Sequence, residues 1–497
     1  MIKNLTSVNT SKKVYAEVFM SSKTNEKNPF SFDLEENVEK IDKILNVNEN
    51  FDIIKREMMI NEKKVVMYYI DGFVTSAIMQ KLMMHLTTVK DFGDNKEGAV
   101  IKFAQKSVPS VEVDPVFDID TLITMVLSGC SAILADGFGN GAVIVDARSY
   151  PARTTEEPGN DRVMRGARDG FVETLIFNTA MIRRRIRDPK LTVKYLCVGE
   201  SSKTDISVVY LDGKADPVYV NEIITKIRNI KTDALPMGHQ SLVECLIKKN
   251  SFNPFPRVRC TERPDCACAS ILEGSVIILC DTSPEAIILP TSIFDFLQDT
   301  DDYYFTPITG TYLRLVRQLV FWSAVVLTPI WYYLATNPSI VPEWLYFIVP
   351  ENTGAVPILV QLLLVEFVID GLKLASLNTP SVMSNSFGVI GGLLLGDFAV
   401  QVGWLSADVI FYMAIVSMAS FTQSNYELGY ALKFVRIITL ILVAFFGGWG
   451  LLLGAVIGIA LILTTKTING KRSYLYPLFP FNPTAMSRLV FRRQKHN

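Results

Sequence analysis

The sequence predicts an α/β plus membrane-α chain: two related α/β modules with mixed sheets, followed by a polytopic helical transmembrane domain of about six spans. Three observations predict it. Mean hydropathy is positive, yet residues 1–318 are mixed and polar while 319–464 are dominated by long apolar runs, the pattern of a soluble half before a membrane half. Within the polar half, "VVMYYIDG" (65–72) resembles "SVVYLDG" (207–213), and "LSGCSAILADGFGNGAVIV" (127–145) resembles "LEGSVIILCDTSPEAIIL" (272–289). Gly129 then matches Gly274 and Asp136 matches Asp281, in similar order and spacing, which indicates an internal duplication. Finally, Lys and Arg around the apolar runs fall on alternating sides.

The elements follow in order. Residues 1–32 are polar and expected to be flexible. They hold no charged segment leading into an apolar one, so no signal peptide is expected and the soluble half is placed in the cytoplasm. The first module, 33–146, contains "EMMINEKKVVMYYIDG", two strands turning at Asn61. It also contains "ADGFGNGAV", whose Asp-Gly and Asn-Gly pairs signal a hairpin. Residues 147–190 are a connecting amphipathic segment, with a helix predicted inside 162–189. Phe171, Leu175, Ile176, Thr179 and Ile182 have helical spacing there, and Pro189 stops the helix. Asp169 and Glu173 near its start and Arg183, Arg184, Arg185 and Arg187 near its end suit the helix dipole. The ordinary reading is a solvated charged helix. The sharper one is a coupling element, in which these residues together with Arg165 and Arg168 meet a neighbouring subunit or lipid phosphate. The second module, 191–310, includes the helical pattern "VYVNEIITKIRNI".

Several chemistries are excluded. A formal net charge of −1 offers no basic footprint for nucleic acid. "GFGNG" lacks dinucleotide-loop spacing and leads into a strand, and "GESSKT" (199–204) lacks the Gly before Lys of a phosphate loop. The three His, His85, His239 and His496, are far apart, and no nucleophile motif is present, so neither enzyme chemistry nor a cofactor is expected. "CTERPDCACAS" places Cys260, Cys266 and Cys268 in no metal-ligand spacing and has no His nearby, so no metal is expected and these read as strand residues filling a core. Seven Cys at irregular spacing fit a reducing compartment.

The transmembrane domain, 311–466, begins with a span at 319–336 that carries Pro329. Further apolar stretches are 356–373, 383–403, 405–423 and 434–464, the last too long for one span and broken by "GGWG" (447–450). Arg314 and Arg317 precede the first span, Lys433 and Arg436 follow the fourth, and the tail 467–497 is basic, which puts both termini inside. Four- and five-span arrangements remain open, the former with 356–373 at the surface and 434–464 unbroken. Gly388, Gly392 and Gly396, and again Gly450, Gly454 and Gly458, form small-residue stripes suited to close helix packing. In "LVQLLLVEFVIDGLK" (359–373), Glu366, Asp370 and Lys373 share one helical face. Ionisable groups in a bilayer are costly unless they face water or pair. In a ring of subunits, Glu366 and Asp370 would form acidic circles that attract cations. The alternative is an ion pair within the helix, with Lys373 reaching the interface. Asp397 is a further ion-path candidate, or the partner of a cation on another helix.

"RGARDGFVETLIFNTAMIRRRIRDP" (165–189), "EGSVIILCDTSPEAIILPTSIFDFLQDTDDYY" (273–304), "GTYLRLVR" (310–317) and "NYELGYALKFVR" (425–436) resemble the A-subunit family of GerA-type spore germination receptors. The likeness runs from about residue 35 to the tail. "DARSYPAR" (146–153) and "YLYPLFPFNP" (474–483) are most similar to a branch linked to dipicolinic-acid release. The resemblance implies a multi-pass protein of the spore inner membrane, acting when a dormant spore meets nutrients and releases monovalent cations. It implies a homo-oligomeric, channel-like assembly with five subunits favoured, a small membrane partner protein, and other receptor subunits as neighbours; it carries no catalytic residues. A secondary transporter and a non-conducting membrane scaffold or signal adaptor are the alternatives, and the absence of an inverted repeat in the membrane half weighs against the transporter.

Overall fold

The computed structural model describes residues 28–106, 112–149, 163–247, 252–351, 353–378, 398–423, 425–468 and 474–491. The chain divides into two compact units, one of residues 1–155, 174–196 and 205–214, the other of 156–173, 197–204 and 215–497.

The first module runs α1 (Leu34–Leu45), β1 (Ile53–Ile60), β2 (Lys63–Ile70), α2 (Ser76–Thr88), α3 (Ala99–Lys106), β3 (Val113–Val116), α4 (Ile119–Leu127), β4 (Ser131–Ala135) and β5 (Ala142–Val145). Asn61 and Glu62 both have positive φ and join β1 to β2 in a two-residue turn, with Ile60 opposite Lys63. The second set runs α5 (Leu175–Arg185), β6 (Leu191–Val198), β7 (Thr204–Leu211), α6 (Pro217–Arg228), α7 (His239–Leu246), β8 (Arg259–Thr261), α8 (Pro264–Leu272), β9 (Val276–Cys280) and β10 (Ala286–Leu289). The two element orders are the same. So are the sheet orders, β1-β2-β4-β5-β3 and β6-β7-β9-β10-β8. The helix expected to be a connector, α5, therefore stands where α1 stands in the first copy.

Local chemistry repeats too. Gly129 and Gly274 follow α4 and α8 with φ of 100° and 96°. The next residue in each copy, Cys130 or Ser275, donates its N–H five residues back, to Met125 O at 3.1 Å or Ser270 O at 2.9 Å. This is the glycine-terminated helix end that needs a left-handed residue. Asp71 and Asp212 occupy equivalent strand ends, each donating its N–H to the residue before the preceding strand of the hairpin, Asp52 O at 2.8 Å and Lys190 O at 3.0 Å.

The sheets are antiparallel rather than mixed, with β1/β2, β2/β4, β4/β5, β3/β5, β9/β10 and β8/β10 all paired in that sense. The expectation of a mixed sheet came from the succession of strands and helices in each module. Here helices cover both faces of an antiparallel one. Val66, Tyr68 and Ile70 of β2 pack with α1 and α4, while Val65 and Met67 pack with α2 and α3. Each such aliphatic side chain removed from water contributes about 1.5–3 kcal/mol.

The helix expected inside 162–189 is confined to α5. Residues 163–174 are extended or bent: Gly166 has φ of 143°, and a Cβ there would lie 2.5 Å from the Tyr304 ring. Phe171 N–H donates to Glu262 O at 2.7 Å, a strand-like contact outside any helix. Cys266 and Cys268 sit on α8 rather than a strand, since Pro264 opens that helix at its first turn.

Beyond the sheets come α9 (Pro307–Thr336), α10 (Ile358–Asn378), α11 (Ala407–Phe421), α12 (Tyr426–Phe446), α13 (Gly448–Thr464) and α14 (Pro483–Val490). Two of these, α9 and α12, are long and apolar enough to cross a membrane; α11 and α13 are shorter apolar helices. The apolar stretch 434–464 is interrupted at Gly447, whose φ of 57° ends α12 and starts α13. Gly388, Gly392, Gly396 and Asp397 lie outside the described residues.

Candidate functional site

Within the helical part, charged side chains of α10 and α12 come together. The charged residues of helix α10 are Glu366, Asp370 and Lys373, and those of α12 are Glu427 in its first turn and Lys433 and Arg436 further in. The four-residue step on α10 and the three-residue step on α12 each bring two groups to one helical face. Arg436 Nε donates to Glu366 Oε1 at 2.7 Å, and Arg436 Nη1 donates to Ala324 O of α9. Lys433 Nζ lies 3.2 Å from Glu366 Oε2, donates to Glu366 O at 3.1 Å, and pairs closely with Asp370 Oδ2. Two carboxylates and two cations make a neutral cluster. Glu366 is 3% and Arg436 2% exposed, so each is costly without the other.

Asp370 differs. Its side chain is 30% exposed, Lys433 is its one ion-pair partner among the described residues, and its Oδ1, itself buried, has no hydrogen-bond partner there. Lys373 does not pair within the helix. Its ammonium sits 4.6 Å from the Phe421 ring centroid and 5.8 Å from that of Tyr430, a cation–π arrangement. Thus Glu366 and Asp370 share Lys433 while Lys373 stands apart from them, and the carboxylates' partners, Lys433 and Arg436, come from α12. The sequence carried a signal for them: two cations at i and i+3 in an apolar helix, complementary to two carboxylates at i and i+4.

Neighbouring contacts fix these helices. Gln361 is fully buried; its amide donates to Thr353 O at 2.6 Å and Val356 O at 2.7 Å, and its Oε1 accepts from Ser406 N at 2.8 Å. Gly450, Gly454 and Gly458 are buried on α13 and face α12. A Cβ on Gly454 would lie 2.3 Å from Thr439 Oγ1, and one on Gly450 would lie 2.4 Å from the Leu442 backbone. At the base of α9, Asp302 is fully buried between Arg314 (3.1 Å) and Arg317 (3.0 Å), so residues read as topology markers are also structural ion-pair partners.

The charged segment around α5 is split in role. Arg183 is fully buried: Nε donates to Asp52 Oδ2 at 2.8 Å, Nη2 to Asp52 Oδ1 at 3.0 Å, and Nη1 to Leu191 O at 2.9 Å. It is a core group, not a surface one. Arg185 reaches back to Met181 O at 3.3 Å and Arg187 to Ser128 Oγ at 3.3 Å. Arg165, Arg168, Glu173 and Arg184 are exposed and Asp169 is half-buried.

Residues 39–497 match the family described as Bacillus/Clostridium GerA spore germination protein. The chain belongs to the GerA family of spore germination proteins. It is 37% identical over 446 residues to stage V sporulation protein AF of Bacillus subtilis (strain 168), covering 90% of both chains. It is 29% identical over 454 residues to spore germination protein KA of the same organism, covering 90% of this chain and 82% of that one. Among solved structures, the N-terminal domain of the A subunit of the Bacillus megaterium spore germinant receptor GerK3 is 25% identical, with a TM-score of 0.39, over 53% of this chain and 97% of that one. The GerA match spans both the sheets and the helices that carry Glu366 and Arg436.

Proposed function

We propose that this GerA-family chain is an integral membrane subunit of the spore germination machinery, and that copies of it assemble into a ring that conducts monovalent cations. The observation that carries the reading is the ionisable cluster of Glu366, Asp370, Lys433 and Arg436 among apolar helices, since ionisable groups at membrane depth mark ion pathways or relays. Within one chain Glu366 is committed to Arg436. Asp370, more exposed than Glu366 and paired through one oxygen only, is the carboxylate proposed to turn toward a lumen, with Lys433, shared with Glu366, holding it in position. The proposed membrane domain has about six spans in the spore inner membrane, with the α/β modules and the tail on the cytoplasmic side. Five subunits, a small membrane partner and other receptor subunits complete the proposed assembly, and Asp397 stays a candidate for the same path.

A second reading has its own support: because Arg436 satisfies Glu366 without any lumen, the cluster equally suits a non-conducting scaffold that passes a signal between partners. Reconstitution separates the two. Passive cation flux from proteoliposomes supports the channel, and none supports the scaffold. Oligomer mass in detergent tests the ring beforehand.

A further inference from the structure

We propose that His239, Cys260 and Glu285 form a Zn²⁺-binding site in the second α/β module. No short motif joins them; the fold does. Cys260 is the middle residue of β8 and pairs with Ile287 of β10. Glu285 lies two residues before Ile287, so strand alternation puts its carboxylate on the same face as the Cys260 thiol. His239 is the first residue of α7. The preceding Gly238 has φ of 50° and approaches Ser283, where a Cβ would come within 3.1 Å of the Ser283 Cβ. That approach brings the imidazole over the β9–β10 turn.

One ring nitrogen, the thiol sulfur and one carboxylate oxygen lie within 4.8 Å of one another. His239 Nε2 is 3.0 Å from Glu285 Oε2. Zinc bond lengths of about 2.0–2.3 Å in a tetrahedron place donor atoms roughly 3.4–3.6 Å apart, so closing the trio on an ion requires a side-chain shift of only about 1 Å. The other ring nitrogen is already held: His239 Nδ1 is 2.6 Å from Ser283 Oγ. Such an outer hydrogen bond is what orients a metal-ligating imidazole. An imidazole, a thiolate and a carboxylate suit Zn²⁺ and not the hard cations, which take oxygen ligands. Three protein ligands leave the fourth position to water. An ion has a way in, since the His239 and Glu285 side chains are 21% and 23% exposed along a cavity of about 290 Å³. Asn425 and Glu427, at the start of α12, line the same cavity, so an ion here sits beside the helix that carries Lys433 and Arg436. The inference does not depend on conduction.

The test uses full-length protein in detergent, stripped with a chelator and titrated with Zn²⁺ or Co²⁺ alone. About one ion per chain is expected. The Co²⁺ form should show a thiolate charge-transfer band that C260S abolishes, and H239N and E285Q should each weaken Zn²⁺ affinity at least about tenfold, the lower end for loss even of an outer partner. Should C260S not fold, the wild type decides by itself: Zn²⁺ should protect Cys260 from alkylation, read by mass spectrometry, and leave the exposed Cys197 and Cys245 reactive. Burial pushes the Cys130 thiol up to about 11 and that of Cys280 up to about 12, so neither competes. Unprotected Cys260 in saturating Zn²⁺, or undiminished binding by C260S, overturns the proposal and leaves a simple His239–Glu285 contact.

Discussion

Glu366 Oε1 accepts a hydrogen bond from Arg436 Nε at 2.7 Å, joining α10 to α12 through two side chains that are almost fully buried. Removing one member of such a pair strands the other. Glu366→Gln is expected to destabilise the detergent-solubilised protein by about 3–5 kcal/mol, and Asp370→Asn by distinctly less, because Asp370 is more exposed and half-satisfied. Glu366→Gln combined with Arg436→Met should recover part of the loss in a double-mutant cycle. Additive single losses would mean that the two groups do not act as a pair.

The α12–α13 hairpin depends on backbone approach. Gly454 leaves no room for a side chain beside Thr439, so Gly454→Leu should lower the yield of folded, monodisperse protein sharply. Gly458→Ala, whose Cβ would meet only Val435 at 3.2 Å, should be much milder. Equal behaviour of the two variants in size-exclusion profiles and thermal melts would contradict the packing described.

Arg183 and Asp52 form a second buried pair, in the first unit. Arg183→Met is expected to cost about 3–5 kcal/mol by leaving Asp52 charged and unpaired. Arg184→Met, at an exposed neighbouring position, should stay within about 0.5 kcal/mol. Chemical denaturation of both variants checks the contrast.

Acid sensitivity follows from Asp265. Burial alone would push its carboxyl up, but hydrogen bonds from Arg263 Nη2 at 2.7 Å and Tyr304 Oη at 2.6 Å outweigh that and hold it below the ordinary 3.8. A depressed carboxylate contributes stability above its unfolded value and loses it as pH falls through the folded one. Asp265→Asn should therefore be less stable at pH 7 by about 1.5–3 kcal/mol and show a flatter stability profile below about pH 4. An unchanged acid limb would show that Asp265 carries none of it.

Much of this was legible before the structure. The paired blocks around Gly129 and Gly274 foretold the duplication because a left-handed helix end requires glycine in each copy. The break at Gly447 followed from a run too long for one span. What failed did so for identifiable reasons. Strand direction was misread because the order of strands and helices does not fix which strands pair or in which sense, and here β3 and β8 return to the edge antiparallel to β5 and β10. The extent of α5 was overestimated because Phe171 keeps helical spacing with Leu175 while its N–H belongs to Glu262 O. The partners of Glu366 were missed because periodicity reports neighbours on one helix, whereas Lys433 and Arg436 come from another. Cys260 and Glu285 share a face only through the pairing of β8 with β10, and His239 joins them only through the approach of Gly238 to Ser283, neither of which local spacing reveals.

Cation efflux from proteoliposomes holding the wild-type oligomer or Asp370→Asn tests the central claim most directly. Passive monovalent-cation efflux is expected with the wild type, and reduced flux or lost cation selectivity with Asp370→Asn at unchanged oligomer mass. A wild-type oligomer that passes no cations, or an assembled Asp370→Asn protein that conducts with the same selectivity, would contradict it.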